Sequence, residues 1–144
     1  MIYLDSSALV KLIIREKETD ALVNFLEGRP QQRHVTSELA RTEVIRALRR
    51  ARCGPQGQHL MDESTFNRLL VAAETRLNAT DQMAVSIDIF DAAGAFEEFN
   101  IRTLDAIHLA TALMLGPALT GFVTYDNRLR EHAENYGFQA NAPS

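Results

Sequence analysis

Met1-Ile2-Tyr3-Leu4-Asp5 opens the chain, and this short apolar run ending on an acid is the stretch that decides the fold. Its apolar residues predict a buried strand. Near the other end, Gly121-Phe122-Val123-Thr124-Tyr125-Asp126 repeats the pattern of a predicted strand followed by an aspartate. Helical patterns separate the two runs, and strands that alternate with helices predict a mostly parallel sheet with helices on both faces. We therefore expect an α/β protein with three α/β/α layers.

Hydrophobic periodicity and turn residues predict the remaining helices and strands. Helices are predicted over residues 7–14, 18–27, Thr36 or Ser37 to Cys53, 63–78, 88–99, 103–115 and 127–136. Further strands are predicted over residues 34–36, 83–87 and 138–140. Asp88 and Thr103 are the expected caps of their helices. The 88–99 helix is expected to bury Phe96 and Phe99.

Length and composition favour one globular domain. The chain has 144 residues, of which 46% are hydrophobic and 24% charged, as in ordinary globular proteins. No linker or repeat divides it, so we expect a single domain over residues 1–144, with a helical segment at about 59–78. No apolar run reaches the ~18 residues of a membrane span, so no membrane partner is expected. Cys53 is the only cysteine, which excludes an intrachain disulfide and favours the cytoplasm.

Charge is unevenly distributed along the chain. The net charge of −4 argues weakly against general nucleic-acid binding. Residues 41–52, however, hold five arginines and one glutamate, whereas residues 81–100 hold five acids and no base. A basic strip and an acidic patch can serve one anionic ligand if metal ions join the anion to the acids.

Four acids stand where a globular fold would place apolar residues. Asp5 and Asp126 follow two predicted parallel strands, whose carboxyl ends share the edge of the sheet where ligands bind. Glu43 lies on the apolar side of its predicted helix, and Asp105 begins an apolar run. Each acid alone could be a turn residue, a helix-surface acid or a helix cap. Acids are rarely buried unless paired or metal-bound, so their joint occurrence favours one acidic pocket.

Electrostatic magnitudes favour a metal ion in such a pocket. At an effective dielectric constant of ~20 and a spacing of ~5 Å, each carboxylate pair costs about 3 kcal/mol. The repulsion among four carboxylates then approaches roughly 20 kcal/mol, more than the ~5–15 kcal/mol of net stability in a typical domain. The acids must therefore be partly protonated, paired with arginine or neutralised by divalent cations. Oxygen ligands suit Mg²⁺ or Mn²⁺, which commonly serve phosphate chemistry.

Four segments of the chain resemble the motifs of PIN-domain proteins. Tyr3–Leu12 (YLDSSALVKL) resembles the opening of the family, and Thr36–Val44 (TSELARTEV) its helical glutamate motif. Leu104–Ala112 (LDAIHLATA) and Val123–Leu129 (VTYDNRL) resemble the third and fourth motifs. The match runs in order over essentially the whole chain, and the first and third motifs are the most specific. Within the family, the sequence is most similar to VapC-type toxins of toxin–antitoxin pairs.

This resemblance implies a PIN-like fold and a Mg²⁺- or Mn²⁺-dependent endoribonuclease. The activity would be hydrolysis of RNA phosphodiester bonds by the toxin of a type II toxin–antitoxin system. The resemblance also implies a homodimer and a cognate antitoxin protein that neutralises the toxin. By this resemblance, the catalytic, metal-binding residues would be Asp5, Glu43, Asp105 and Asp126.

Several neighbouring side chains could support the acids. Ser6, Ser7 and Thr124 could orient Asp5 or a metal-bound water, or they could be ordinary turn and strand hydroxyls. His108 lies three residues after Asp105, on roughly the same side of the predicted helix. It could be a ligand or a proton shuttle, but a hydrogen-bonded helper in the core is the favoured interpretation.

Arginines provide candidate contacts to RNA phosphates. Arg46, Arg49, Arg50 and Arg52 follow Glu43 along one predicted helix. Arg128 follows the last of the four acids. A solvated or partner-facing helix side is an equal alternative for the helical arginines, and a surface ion pair is the alternative for Arg128.

Two other functions compete with RNA hydrolysis. Phosphotransfer at Asp5 would need a lysine late in the chain, but the only lysines are Lys11 and Lys17. Aspartate-nucleophile phosphatases also need an acid two residues after the nucleophile, where this chain has Ser7. The other alternative is a catalytically silent binding module on the same fold, which the sequence leaves open.

Overall fold

Five parallel strands form the central sheet of the computed structural model, which describes residues 1–144. The strands are β1 (Ile2–Leu4), β2 (His34–Ser37), β3 (Asp81–Met83), β4 (Gly121–Val123) and β5 (Ala140–Asn141). Their order across the sheet is β3-β2-β1-β4-β5, which puts the opening segment of the chain at the centre. Every neighbouring pair is parallel, so all five carboxyl ends lie at one edge. The predicted α/β class is confirmed.

Seven α-helices and a short 3₁₀ turn connect the strands. They are α1 (Ser6–Lys11), α2 (Thr19–Glu27), α3 (Leu39–Arg52), α4 (Glu63–Asn78), α5 (Ile87–Gly94), α6 (Thr103–Met114), the 3₁₀ turn (Gly116–Ala118) and α7 (Asn127–Asn135). None of these helices combines the length and the apolarity that crossing a membrane requires.

Alternation of side chains along β1 divides the core into two clusters. Ile2 and Leu4 pack on one face of the sheet with residues of α1 to α4, including Val44. Tyr3 points to the opposite face and packs with residues of α6 and α7, including Leu109. Successive strand residues face opposite sides of a sheet, and fully burying each large apolar side chain contributes about 1.5–3 kcal/mol. The predicted three layers therefore follow from β1 being apolar on both faces.

The third strand and the helix after it differ from the prediction. β3 spans Asp81–Met83 rather than residues 83–87, because its backbone pairs with Val35–Ser37 of β2. It is an edge strand with largely polar side chains, so its pairing leaves no apolar signal in the sequence. The apolar residues after Met83 belong instead to a connection and to α5.

Three expected features around α5 and the last strand were also wrong. Ser86, not Asp88, occupies the N-cap position of α5, and Asp88 lies in its first turn. The helix ends at Gly94, and Phe99 is 100% exposed rather than buried. β5 begins at Ala140, and the earlier Phe138 packs against the second core cluster.

The expected caps of α3 and α6 were only partly correct. Thr36 and Ser37 belong to β2, where they pair with β3, and Glu38 occupies the N-cap position of α3 without a side-chain cap. The Ser37 hydroxyl accepts the backbone N–H of Leu39 over 3.3 Å, so the predicted capping by Ser37 is confirmed. Thr103 is the first residue of α6, after Arg102 at the N-cap position. Asp105 is therefore the third residue of its helix, within reach of the unpaired N–H groups of the first turn.

Candidate active site

The four carboxylates singled out in the sequence come from four segments of the chain and line one cavity at the carboxyl edge of the sheet, with Glu16 as a fifth acid in its lining. Asp5 directly follows β1, and Asp126 lies at the start of α7 just after β4. Glu43 comes from the first half of α3 and Asp105 from the first turn of α6. All four line an open cavity of about 610 Å³. The acids that the sequence singled out thus meet in space.

Asp5 is held on both of its oxygens. The hydroxyl of Ser7 (2.7 Å) and the backbone N–H of Ala8 (2.9 Å) donate to Oδ1, which makes Asp5 the N-cap of α1. The Thr124 hydroxyl at the end of β4 donates to Oδ2 over 2.7 Å. Burial raises the pKa of Asp5 above its ordinary value, and hydrogen bonds from Thr124, Ser7 and Ala8 oppose that shift. Ser7 and Thr124 therefore orient Asp5.

Glu43 is held through one oxygen only. The hydroxyl of Ser6 donates to Glu43 Oε2, and His108 Nε2 lies 2.7 Å from the same oxygen. Burial by itself would raise the pKa of Glu43, but His108 and Ser6 bring it below its ordinary value. Ser6 thus supports Glu43 rather than Asp5. The sequence alone did not separate the roles of the two adjacent serines.

Asp105 and Asp126 form the least satisfied pair in the cavity. Asp105 Oδ2 is buried and has no hydrogen-bond partner. Burial raises the pKa of Asp105, and the charge of Asp126 raises it further. Asp126 Oδ1 accepts hydrogen bonds from the backbone N–H groups of Arg128 (2.8 Å) and Leu129 (3.3 Å), which cap α7. Its Oδ2 lies 4.0 Å from Arg102 Nη1.

The donor set of the cavity fits a hard divalent cation. Asp105 Oδ2 is a buried oxygen without a partner, which a cation or a proton must satisfy. Glu43 Oε1 makes no hydrogen bond, because both donors lie on Oε2. Carboxylate oxygens are the ligands that Mg²⁺ and Mn²⁺ prefer. As the side chains stand, no three acids, histidines or cysteines are clustered tightly enough to hold one ion.

The PIN-domain family model matches residues 2–135 of this chain. The chain belongs to the PIN-domain family. Its curated relatives include three ribonucleases of Mycobacterium tuberculosis that match it over nearly their whole length. VapC46 is 43% identical and VapC35 41% identical, and VapC47 is 36% identical. The matches cover 99% of this chain and 97–98% of each relative.

Solved structures share the PIN fold of this chain. M. tuberculosis VapC20, a toxin that cleaves the sarcin–ricin loop, superposes with a TM-score of 0.70 at 18% identity, over 99% of this chain and 100% of that one. A toxin–antitoxin complex from Klebsiella pneumoniae superposes with a TM-score of 0.63 at 19% identity, over 89% and 88% of the two chains. These likenesses show that the three-layer arrangement is the PIN fold.

His108 of this PIN domain is a hydrogen-bonded core residue. It is only 2% exposed. Its Nδ1 lies 2.7 Å from the Tyr3 hydroxyl, and its Nε2 lies 2.7 Å from Glu43. Both ring nitrogens are therefore engaged with protein groups, as the favoured interpretation of the sequence expected.

The candidate RNA-binding arginines divide into two groups. Arg50 lines the acidic cavity, and it also lines an adjoining groove of about 390 Å³ together with Arg46, Arg49 and Arg52. None of these four forms an ion pair with an acid. Arg128 is exposed and does not line the cavity. The basic groove is thus continuous with the PIN-domain cavity through Arg50.

Sequence reasoning missed two cations that line the cavity, Lys11 and Arg102. Lys11 is four residues after Ser7 on α1, a spacing that puts both on one side of a helix. Its Nζ forms ion pairs with Glu16 and Glu18. Arg102 directly precedes α6, and its Nη1 lies 4.0 Å from Asp126 Oδ2. Helical spacing from Ser7 was the signal for Lys11, whereas Arg102 carried none.

We expect Asp105→Asn to raise the melting temperature of the metal-free protein by about 1–3 °C at pH 7. Burial and Asp126 raise the pKa of Asp105 in the folded chain. The folded state therefore binds this proton more tightly than the unfolded state, and ionisation of Asp105 destabilises the fold as pH rises above about 4. The gain in the variant should shrink as pH falls toward 4. Thermal denaturation in EDTA measures it.

Asp88→Asn is the matched control, because Asp88 is an exposed aspartate in the first turn of α5. It should leave the melting temperature unchanged or slightly lower, since a negative charge is favourable at a helix N-terminus. A drop of several degrees in Asp105→Asn would contradict the view that Asp105 is held at an electrostatic cost.

Proposed function

We propose that this PIN-domain protein is a divalent-cation-dependent endoribonuclease that hydrolyses RNA phosphodiester bonds. We further propose that it is the toxin of a type II toxin–antitoxin pair. The observation that carries the proposal is the convergence of Asp5, Glu43, Asp105 and Asp126 on one cavity. The ribonucleases VapC46 and VapC35, which match the whole chain at 41–43% identity, support it.

In the proposed mechanism, Asp5, Glu43, Asp105 and Asp126 would hold Mg²⁺ or Mn²⁺. When bound, such a cation activates a water and stabilises the charge that develops on the attacked phosphate and the leaving oxygen. Ordered carboxylates serve this chemistry because ligands held by further hydrogen bonds keep their orientation.

The protein's own groups keep the acids in place. Asp5 is clamped between Ser7 and Thr124, so it cannot turn away from the carboxyl edge of the sheet. Asp126 keeps Oδ1 on the N-terminus of α7, which leaves Oδ2 to the cavity. Asp105 offers a buried oxygen that no protein group contacts. These anchors would present oxygens to a cation, and the carboxylates would have to draw closer together to hold it.

Arginine side chains around the cavity would allow a negatively charged RNA backbone to approach the acids. Arg50 and Arg102 lie on the cavity wall with the four acids, and they lower the repulsion between RNA phosphates and those acids. We assign Arg46, Arg49 and Arg50 to phosphates that flank the cleaved bond, with Arg128 at the other side of Asp126. Contacts of this kind position RNA but do not read its sequence.

Partners and location complete the proposal. We propose a homodimer, a cognate antitoxin that covers the toxin, and action on RNA in the cytoplasm. Ile87, Phe90 and Phe99 are 71%, 47% and 100% exposed, and exposed apolar patches commonly mark protein interfaces. The lone Cys53 suits a reducing compartment. We also propose that residues 1–144 form one domain, because both large core clusters pack on the same sheet.

We expect the purified protein to cleave cellular RNA in the presence of Mg²⁺ or Mn²⁺. Cleavage should stop when EDTA removes the cation. Asp5→Asn should lower the cleavage rate about 100-fold or more, because charge stabilisation by a bound cation is worth several kcal/mol. Asp88→Asn, which changes an exposed aspartate that does not line the cavity, should cleave as the wild type does. Gel analysis of total RNA measures these rates.

The wild-type chain and the Asp5→Asn variant also test the toxin role in cells. Expression of the wild-type chain without an antitoxin should arrest growth, and the Asp5→Asn chain should not. Equal growth of both strains would exclude a toxin role. If the purified wild type neither cleaves RNA nor binds Mn²⁺, a catalytically silent binding module becomes the better interpretation.

Removing two groove arginines together, Arg46→Ala with Arg49→Ala, should weaken RNA binding to the same extent for different sequences. Each lost phosphate contact lowers the slope of log affinity against log salt by roughly 0.7–0.9, so the slope should fall by about 1–2. Filter binding in the Asp5→Asn background measures it without cleavage. Arg15→Ala is the control, because Arg15 is exposed and paired with Asp20. An unchanged salt slope would remove the groove from the RNA path.

A further inference from the structure

A buried chain of hydrogen bonds connects the centre of the sheet to the acidic cavity. It begins at the backbone N–H of Ser37 in β2, which donates to the hydroxyl of Tyr3 over 3.1 Å. Tyr3 Oη lies 2.7 Å from His108 Nδ1, and His108 Nε2 lies 2.7 Å from Glu43 Oε2. Tyr3 is 0% exposed and His108 is 2% exposed. The cavity is thus tied to the sheet through the protein interior.

The acceptor at the cavity end of this chain defines which nitrogen of His108 donates. The Glu43 carboxylate can only accept hydrogen bonds, so the proton between it and His108 must lie on Nε2. On the other side of the ring, the Tyr3 hydroxyl lies against Nδ1 and itself accepts the N–H of Ser37, so the ring is held from both ends.

Ring packing keeps the two side chains in this arrangement. The Tyr3 ring stacks on Phe122 of β4 with centroids 4.9 Å apart and an interplanar angle of 16°. The His108 ring meets the edge of Tyr3 at 5.9 Å and 82°. His108 lies within seven consecutive buried residues of α6, Ala106 to Ala112. Neither ring can turn without disturbing close packing.

The position of the donors on Glu43 has a consequence for the cavity. His108 and Ser6 both lie against Oε2, and Oε1 has no hydrogen-bond donor. A carboxylate held at one oxygen by two donors from different helices has a defined plane. Glu43 Oε1 is thereby left for a ligand in the cavity.

We propose that Tyr3 and His108 are positioning residues that fix Glu43 Oε2 through the hydrogen bond from His108 Nε2 and so present Oε1 to a divalent cation. The role rests on the proposed function, because it assumes that Glu43 binds that cation. The hydrogen-bond chain itself is a property of the metal-free protein and is open to a separate test.

Nitrogen NMR of the full chain with ¹⁵N-labelled histidine, in EDTA at pH 7, tests this hydrogen bond. We expect His108 to give the signature of a protonated Nε2, and His108→Gln assigns its signals by their loss. Tyr3→Phe keeps the ring packing but removes the hydroxyl at Nδ1, so the Nδ1 signal should shift. A wild-type His108 without a proton on Nε2 would overturn the proposal.

Mn²⁺ binding and cleavage kinetics test the positioning. A glutamine at position 108 can still donate from its side-chain nitrogen to Glu43, whereas a leucine cannot. His108→Leu should weaken Mn²⁺ binding about 10–100-fold and lower kcat while KM for RNA stays constant. His108→Gln should recover most of both losses, and Tyr3→Phe should lie between the wild type and His108→Leu. Calorimetric titration with Mn²⁺ gives a readout independent of activity.

His132→Leu is the matched control, because His132 is another buried histidine, 4% exposed, with no hydrogen-bond partner on either ring nitrogen. It should leave Mn²⁺ binding and kcat unchanged. Circular dichroism identifies the folded variants, and Tyr3→Phe carries the test if His108→Leu does not fold. Normal Mn²⁺ binding and kcat in the folded variants would overturn the positioning role alone. A wild type without Mn²⁺ binding or cleavage would overturn the proposed function.

Discussion

Repulsion among four carboxylates gathered at one edge of a parallel sheet is the constraint on which the rest of this structure depends. Burial raises the pKa of Asp5 and Asp105, and the charge of Asp126 adds to the shift at Asp105. Anchoring hydrogen bonds keep such acids in place, because free side chains would turn toward water. Asp5, Glu43 and Asp126 each have an oxygen bonded to protein N–H or O–H groups. Asp105 is the exception, with a buried oxygen that no protein group satisfies.

The elements around the cavity supply these anchors from several directions. β1 leads directly into α1, so Asp5 both ends the strand and caps the helix. The end of β4 contributes Thr124, and the interior contributes the Tyr3–His108 chain to Glu43. Arginines from α3 then line a groove that meets the acidic cavity at Arg50. The acid-lined cavity and the basic groove, which coexist on one chain of net charge −4, are therefore adjacent parts of one surface.

Several local predictions were wrong because backbone pairing, rather than local pattern, decided them. The apolar residues 83–87 suggested a strand, but the backbone of the more polar segment Asp81–Met83 pairs with β2 at the sheet edge. Thr36 is a good capping residue in isolation, yet it lies inside β2, and only Ser37 at the end of that strand accepts a backbone N–H of α3. Phe99 looked like a core residue by spacing, but α5 ends before it. Pairing with a neighbouring strand, or the end of a helix, overrides the structural position that a residue's own conformational preference indicates.

The sequence by itself determined the alternating α/β order, the central strand that is apolar on both faces, and the four acids at the positions where they now meet. Those features are encoded locally, as periodicity and as a charge at the end of an apolar run. Only the tertiary structure decided which serine holds which carboxylate, that Arg102 rather than Arg128 lines the cavity, and that His108 connects Tyr3 to Glu43. The Ser6–Glu43, His108–Glu43 and Tyr3–His108 contacts join residues 37, 65 and 105 positions apart in the chain. No local pattern specifies such pairings, because they exist only when distant segments pack together.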